Sequence, residues 1–202
     1  MHQSIGNLTS LDFLNLKGCW SLKALPGSIG KVKSLECLNI SGCSQLEKLP
    51  ERMGDIESLI ELLADGIENE KCLSLIGQLK DVRRLSLGGY SSSPPSSSLI
   101  SAGVLNWKCW LSLKCLELFN CSLSDRATSC VDFSGLSALE KLDLNGNKFS
   151  SLPSGIGFLP KLSSLFVHDC NYLVSIPDLP SSLEVLDVNG CKSLERVRIP
   201  IQ

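Results

Sequence analysis

The chain has 202 residues, 43% of them hydrophobic, which is enough to bury one sizeable core. Its 19 Lys and Arg residues nearly balance its 21 Asp and Glu residues, so nothing in the charge predicts binding to nucleic acid. The N-terminal residues carry neither a basic and apolar signal nor an Arg-rich amphipathic pattern, and no stretch reaches the roughly 18 apolar residues of a membrane span. We therefore expect a soluble protein that does not enter a membrane.

The first element in chain order is a unit that occurs twice in succession. LDFLNLKGCWSLKALPGSIGKVKSL (11–35) and LECLNISGCSQLEKLPERMGDIESL (35–59) share the spacing of their leucines, a Gly-Cys pair and a Leu-Pro pair. In the second segment Leu38 and Ile40 alternate with small or polar residues, which is the pattern of a strand with one buried face. Gly42 then permits a turn. Each unit is therefore predicted to be one coil with a strand on its inner side.

The same unit continues along the rest of the chain. Its first leucine-type residue occurs eight times, at Leu11, Leu35, Leu59, Val82, Leu113, Leu139, Leu162 and Leu183. By subtraction, the spacings are 24, 24, 23, 31, 26, 23 and 21 residues. A period of about 20 to 29 residues built on LxxLxLxxN/C is typical of a leucine-rich repeat. The sequence thus predicts a single domain over residues 1–202, an α/β repeat solenoid shaped as a right-handed horseshoe. A parallel sheet should line its concave face, with irregular, 3-10 or short helical segments on its convex face.

Two places depart from the regular unit. In the third copy Ala64 and Ile67 replace the usual leucine and cysteine, so the boundaries of that copy stay open. The fourth copy contains YSSSPPSSSLISAGVLNWKCW, whose serines and prolines cannot build a core. Residues 90–110 are therefore predicted to form an inserted outer loop, anchored by its tryptophans, with a regulatory or contact role as the alternative. Trp20 is expected to pack half-buried beside the first turn.

A fixed position in the turn that follows each strand is usually occupied by cysteine or asparagine. A small side chain with a hydrogen-bond donor at this place can reach loop carbonyls, so stacked copies would form an Asn/Cys ladder. The regular spacing favours this structural role over redox chemistry. The predicted ladder consists of Cys19, Cys43, Cys121, Asn147, Cys170 and Cys191.

A binding function should use the strand side chains that flank the buried leucines. Three aromatic residues among them either anchor a partner or pack sideways on neighbouring strands. The acids outnumber the bases on this face, so a basic patch on a partner would fit. The candidate partner-binding residues are Phe13, Lys17, Glu61, Asp65, Arg84, Glu117, Phe119, Lys141, Asp143, Phe166, His168 and Asp187.

The sequence gives little support for catalysis or metal binding. Its only histidines are His2 and His168, and a Ser-His-Asp site would have to use the pair His168 and Asp169, which falls at an exposed strand end. No CxxC or HExxH spacing predicts zinc. We therefore predict no catalytic residue, no metal site and no cofactor.

Residues 21–59 and 139–197 resemble the leucine-rich repeat region of plant intracellular disease-resistance receptors, in the class that carries a TIR domain and a nucleotide-binding domain (TIR-NBS-LRR). The most specific part is IPDLPSSLEVLDVNGCKSLERV (176–197), which is similar to the last repeats of that class. The resemblance implies a sensor in the cytoplasm or the nucleus that binds a pathogen effector or a guarded host protein. It also implies that the repeats hold a flanking nucleotide-binding domain inactive until that partner arrives.

Neither end shows a polar cap over the repeats, so we expect the chain to be a fragment or a truncated product of a longer protein. Two other interpretations stay open. One is a general intracellular scaffold or inhibitor of the same fold. The other is a fragment of a receptor-kinase ectodomain, which should carry a signal peptide, paired capping cysteines and sugars.

Overall fold

The computed structural model describes residues 1–89, 110–129 and 133–197. Eight short strands form one parallel sheet: β1 (Phe13–Asn15), β2 (Cys37–Asn39), β3 (Glu61–Leu63), β4 (Arg84–Ser86), β5 (Cys115–Glu117), β6 (Lys141–Asp143), β7 (Ser164–Phe166) and β9 (Val185–Asp187). Two more, β8 (Ser175–Ile176) and β10 (Arg196–Val197), pair separately. The predicted leucine-rich-repeat solenoid with a parallel sheet is confirmed.

The register of the sheet brings equivalent residues of successive coils side by side. The central residue of all eight sheet strands is a leucine, paired with the leucine of the next strand. The six inner leucines are fully buried, whereas Leu14 and Leu186, near the two ends, are partly exposed. Because side chains alternate along a strand, the residues on either side of each leucine point away from the core. The sheet therefore buries one face and presents the other.

Each strand begins two residues after the motif leucine from which it was predicted to start. Most of these leucines use their amide to close the preceding convex segment, as Leu35 N does on Val32 O (3.3 Å). Bonding between coils starts one residue later, where Glu36 N donates to Asp12 O (2.8 Å). The motif leucine thus completes the turn into the strand. Its side chain belongs to the core, and its amide takes no part in the hydrogen bonding between strands.

The convex side is built from short segments. These are 3-10 helices at Gln3–Asn7, Gly27–Lys31, Met53–Asp55, Phe133–Gly135 and Ser154–Phe158, together with helices α1 (Glu70–Ile76) and α2 (Asp125–Thr128). Pro26 and Pro153 each precede a 3-10 helix, where a fixed φ and a missing N–H cost nothing. The pair β8–β10 and an isolated bridge between Ala24 and Lys48 add strand pairing on the outer side, which the sequence did not predict.

The irregular third and fourth copies keep the common register where the structure describes them. Ala64 and Ile67 are buried at the places of the usual leucine and cysteine, and α1 follows them. The predicted loop 90–110 lies outside the described residues except for Trp110, which is buried. Trp20, expected to be half-buried, is 65% exposed, because the residue after the ladder position points into solvent, as Ser44 and Asn171 also do in inner coils. That prediction is wrong.

A left-handed residue ends the inner segment in all eight coils. Its φ lies between 52° and 73° at Gly18, Gly42, Gly66, Gly89, Asn120, Gly146, Asp169 and Gly190. Glycine adopts this conformation freely, and Asn and Asp tolerate it better than other residues. In seven coils its amide donates to a carbonyl of the next coil, as Gly42 N does to Asp65 O (2.8 Å). The turn therefore redirects the chain without breaking the hydrogen bonding between coils.

Candidate protein-binding face

The side of the sheet away from the core carries three columns of side chains. The first column, formed by the first residue of each strand, holds Phe13, Cys37, Glu61, Arg84, Cys115, Lys141, Ser164 and Val185. The second, formed by the third residue, holds Asn15, Asn39, Leu63, Ser86, Glu117, Asp143, Phe166 and Asp187. The third, two residues beyond each strand, holds Lys17, Ser41, Asp65, Gly88, Phe119, Asn145, His168 and Asn189. We name these positions the concave face, and all twelve predicted partner-binding residues lie on it.

Four charged side chains in the middle of the concave face form a continuous row of ion pairs. The Arg84 guanidinium bonds Glu61 Oε1 at 3.1 Å and Glu117 Oε1 at 3.2 Å. Lys141 Nζ lies 3.5 Å from the same Glu117 oxygen. Two acids therefore neutralise two bases across strands β3 to β6.

The row continues through aromatic contacts towards the C-terminal strands. Lys141 Nζ lies 5.2 Å from the centroid of the Phe166 ring, within cation–π range. The Phe166 ring meets the His168 ring edge-on, with centroids 6.4 Å apart. His168 Nε2 in turn lies 3.2 Å from Asp187 Oδ2. Phe166 thus packs sideways, as one of the two sequence alternatives stated, and links the ion pairs to the His168–Asp187 pair.

Glu117 departs from its predicted role. The sequence predicts a water-facing contact residue, but the Glu117 side chain is only 12% exposed and is paired with Arg84 and Lys141. It also accepts a weak bond from Cys115 Sγ (3.7 Å). The acidic excess predicted for the face is therefore not spread evenly, because Glu61 and Glu117 are both paired with bases.

Asp65 is held by groups that were not among the predicted site residues. Its carboxylate accepts from Ser41 Oγ (3.0 Å), from Ser86 Oγ (2.5 Å) and from Gly88 N (2.9 Å). None of these donors carries a charge, so the bonds fix the carboxylate in place and leave its negative charge uncompensated. A serine in each neighbouring coil, in the second or third column, is the sequence signal that could have indicated this arrangement.

Phe119 and Phe13 occupy different settings. The Phe119 ring is half-buried over the Gly88–Gly89 backbone, where an added Cβ at Gly88 would lie 2.6 Å from two ring carbons. Gly88 is the only glycine in the third column, and it leaves the space that the ring fills. Phe13 on β1 remains 53% exposed. Of the two sequence alternatives, sideways packing therefore describes Phe119 and Phe166, while Phe13 keeps most of its ring in solvent.

Asp143 lies beside Glu117 in the second column. Burial raises the pKa of Asp143, a hydrogen bond from Asn145 N (3.0 Å) acts against this, and the nearby Glu117 charge adds to the rise. Lys141 and His168 are near enough to lower the pKa of Asp143, but neither forms an ion pair with it. The carboxylate is therefore only partly satisfied by its surroundings.

The predicted ladder residues lie at the start of each turn after the sheet. Five of them donate to a carbonyl of the preceding coil: Cys43 Sγ to Leu16 O (3.2 Å), Cys121 Sγ to Leu87 O (3.2 Å), Asn147 Nδ2 to Leu118 O (2.9 Å), Cys170 Sγ to Leu144 O (3.3 Å) and Cys191 Sγ to Val167 O (2.9 Å). Burial is the main reason that the pKa values of these four thiols are raised, so they stay protonated and able to donate. Cys19, in the first coil, is exposed. The eight cysteines in the described part are free thiols.

The geometry brings no catalytic or metal-binding group together in the described ranges. His168 pairs with Asp187 and not with its sequence neighbour Asp169, which adopts the left-handed turn conformation. No cluster of three or more His, Cys, Asp or Glu side chains among the described residues is placed to hold a metal ion. No helix in that part of the chain is long and apolar enough to cross a membrane.

Comparison with known proteins agrees with the coil geometry. A family profile described as Leucine Rich repeats (2 copies) matches residues 137–181. The chain is a leucine-rich-repeat solenoid. Among solved structures, this solenoid is similar to human 5T4 (Wnt-activated inhibitory factor 1, trophoblast glycoprotein), with a TM-score of 0.52 and 22% identity over 78% of this chain and 56% of that one. At that identity the likeness concerns the fold alone.

The similar sequences include plant disease-resistance proteins. The solenoid is 36% identical to the Disease resistance-like protein DSC1 of Arabidopsis thaliana over 98% of its own length. It is 42% identical to the TMV resistance protein N of Nicotiana glutinosa over 39% of its length. It spans 16% and 7% of those two relatives. The resemblance to the repeat region of plant disease-resistance proteins is thereby confirmed.

Proposed function

We propose that the solenoid is the protein-binding sensor and autoinhibitory segment of an intracellular plant immune receptor. Its concave face would recognise a pathogen effector or a guarded host protein, and the same repeats would restrain a flanking nucleotide-binding domain. This proposal assigns the solenoid to the cytoplasm or the nucleus. It gives the solenoid no catalytic role and no cofactor, so nucleotide and TIR chemistry would reside in other parts of the receptor.

The observation that carries this proposal is the uninterrupted concave face in a chain similar to one disease resistance-like protein over nearly its whole length. Eight strands at a spacing of roughly 4.8 Å give a length of about 34 Å, and five residues per strand segment give a width of about 17 Å. The resulting area of about 600 Å² approaches the roughly 800 Å² that each partner buries in a standard protein interface. A partner that also touches one rim would reach that size.

Site-specific photo-cross-linking tests the use of this face. Benzoylphenylalanine would replace Phe13, which is 53% exposed on the concave face, and in a matched variant Phe158, which is 79% exposed on the convex side. We expect the Phe13 variant to cross-link a discrete protein in leaf extract, identified by mass spectrometry and confirmed with the purified partner. Equal capture by the Phe158 variant, or capture by that variant alone, would refute binding at the concave face.

The autoinhibitory role needs a separate experiment. The solenoid would be co-expressed in leaves with the nucleotide-binding segment of a plant receptor of the resembled class, and binding would be measured by co-precipitation. We expect the two to associate and the solenoid to suppress spontaneous cell death caused by that segment. Capture of a host protein at the concave face without any effect on the nucleotide-binding segment would indicate a general leucine-rich-repeat scaffold instead.

A further inference from the structure

The centre of the concave face carries two acids that no base neutralises. Arg84 and Lys141 are committed to Glu61 and Glu117. Asp65 and Asp143 take part in no ion pair within the described residues. A partner therefore meets a neutral row of ion pairs in the first two columns and uncompensated negative charge beside it.

The position of Asp65 is fixed before any partner arrives. The hydroxyls of Ser41 and Ser86 and the amide of Gly88 hold both of its carboxylate oxygens. A carboxylate that is already oriented loses little side-chain entropy on binding a cation, in contrast to a long, free glutamate.

Phe119 lies between the two acids in the order of the coils. Its carbons rest over Gly88 and Gly89, and Asp65 approaches the same glycine pair from the other side, bonding Gly88 N. Phe119 follows β5, and β6 beside it carries Asp143, so the register of the sheet makes the two residues diagonal neighbours on the concave face. In the order of the coils, an aromatic residue thus stands between two acids.

We infer that Asp65, Phe119 and Asp143 form a subsite for a lysine or arginine side chain of the protein partner, a step that rests on the proposed function. A cation over the ring gains a cation–π contact together with attraction to both carboxylates. An apolar side chain would bury two acids without a partner, and an acidic side chain would be repelled. The three residues therefore select for positive charge.

Short labelled peptides test the subsite directly. The probe is a peptide in which three arginines alternate with glycine, compared with the same peptide carrying citrulline, the neutral isostere of arginine. In fluorescence anisotropy at low salt, we expect the citrulline peptide to bind at least about tenfold more weakly, since it loses the charge and keeps the shape. Equal affinity of the two peptides, or failure of the arginine peptide to bind, overturns the inference.

Single substitutions then locate the binding. Asp65→Asn and Asp143→Asn should each raise the dissociation constant of the arginine peptide by roughly three- to tenfold, and Phe119→Leu should raise it by roughly twofold or more. The matched control Glu57→Gln removes one exposed acid away from the concave face and should change the dissociation constant by less than about twofold. An equal effect of Glu57→Gln would show general charge attraction only and would overturn the subsite.

A second variant separates ring position from charge. Gly88→Ala keeps every charge but places a methyl group 2.6 Å from the Phe119 ring carbons, so the ring must move. We expect weaker peptide binding with an unchanged circular dichroism spectrum, and unchanged binding would contradict the role of the ring.

The cross-linking experiment at Phe13 is independent of these peptides. If that experiment succeeds while the peptide variants have no effect, the subsite fails and the proposed function stands. If cross-linking shows no preference for the concave face, the proposed function fails.

Discussion

Replacing Asn147 with alanine should destabilise the solenoid far more than the lost volume alone would suggest. The side chain is 1% exposed, and its Oδ1 accepts from Cys121 N (3.1 Å) and Leu123 N (3.0 Å). Its Nδ2 donates to Leu118 O (2.9 Å) and Leu144 O (2.8 Å). Alanine would leave two buried amides without an acceptor, at about 1–3 kcal/mol each. We expect the free energy of unfolding to fall by roughly 3–5 kcal/mol, allowing for partial relaxation.

Asn147→Cys is the matched variant, because cysteine occupies the same position in other coils. There the thiol donates to the preceding coil, as Cys170 Sγ does to Leu144 O (3.3 Å), but sulfur is a weak acceptor for amides. Urea unfolding followed by circular dichroism should therefore rank the wild type first, Asn147→Cys second and Asn147→Ala last. A loss below about 1 kcal/mol for Asn147→Ala, or a cysteine variant less stable than the alanine variant, would refute the argument from unsatisfied amides.

Three further changes probe the core, the face and the thiols. Leu142→Ala, at a fully buried strand centre, should lower the free energy of unfolding by roughly 2–5 kcal/mol. The control Lys161→Ala, at an exposed position, should change it by less than about 0.5 kcal/mol. Equal losses of unfolding free energy for the two variants, measured in urea, would contradict the core assignment. Asp143→Asn should stabilise the fold near pH 7, because a carboxyl whose pKa is raised by burial costs folding energy once ionised. That gain should disappear as the pH falls below the ordinary pKa of aspartate, and a gain that is constant with pH would count against it. Cys115, whose pKa burial raises to about 11, should react with iodoacetamide near pH 8 at least about tenfold more slowly than the exposed Cys19, as read by peptide mass spectrometry; equal rates would oppose this.

The sequence was sufficient to predict the parts of the fold that depend on residues within a single coil. The alternation in LxxLxL places a leucine at the centre of each strand of the sheet. Because the next coil has the same pattern, the pattern predicts both the register of the strands and the buried core. The ladder could be predicted for the same reason, since Cys43 and Cys170 stand at one fixed distance after their strands. The three columns of the concave face follow from the same alternation.

Side-chain contacts between coils could not be predicted in this way. Arg84 and Glu117 are 33 residues apart, and whether the guanidinium reaches across to that carboxylate depends on rotamers and on competing partners such as Glu61. The burial of Glu117 is a consequence of the two bases above it, and nothing in its own coil indicates it. The acidic excess counted from the sequence was therefore a sum over residues, whereas binding depends on which acids remain unpaired.

The departures from the repeat are accommodated by the adjacent coil. In the fifth coil the non-glycine residues Asn120 and Ser122 adopt positive φ, and Gly146 in the next coil has no Cβ to collide with the Asn120 side chain. The same turn directs two amides to Asn147, where most other coils carry cysteine. In a similar way, Gly88 has no Cβ to collide with the Phe119 ring of the next coil.

This pairing limits how the concave face can change. A coil in a solenoid contacts only its neighbours, so the consequence of a substitution is confined to one or two coils. Within that range the effects are coupled, because the altered side chain fills a space or satisfies a group that the adjacent coil supplies. A surface residue such as Lys17, whose side chain forms no hydrogen bond with the described residues, can vary alone. Gly88, in contrast, can gain a side chain only if the Phe119 ring of the next coil moves. If the concave face binds a partner as proposed, we therefore expect its specificity to depend on pairs of adjacent coils rather than on single positions.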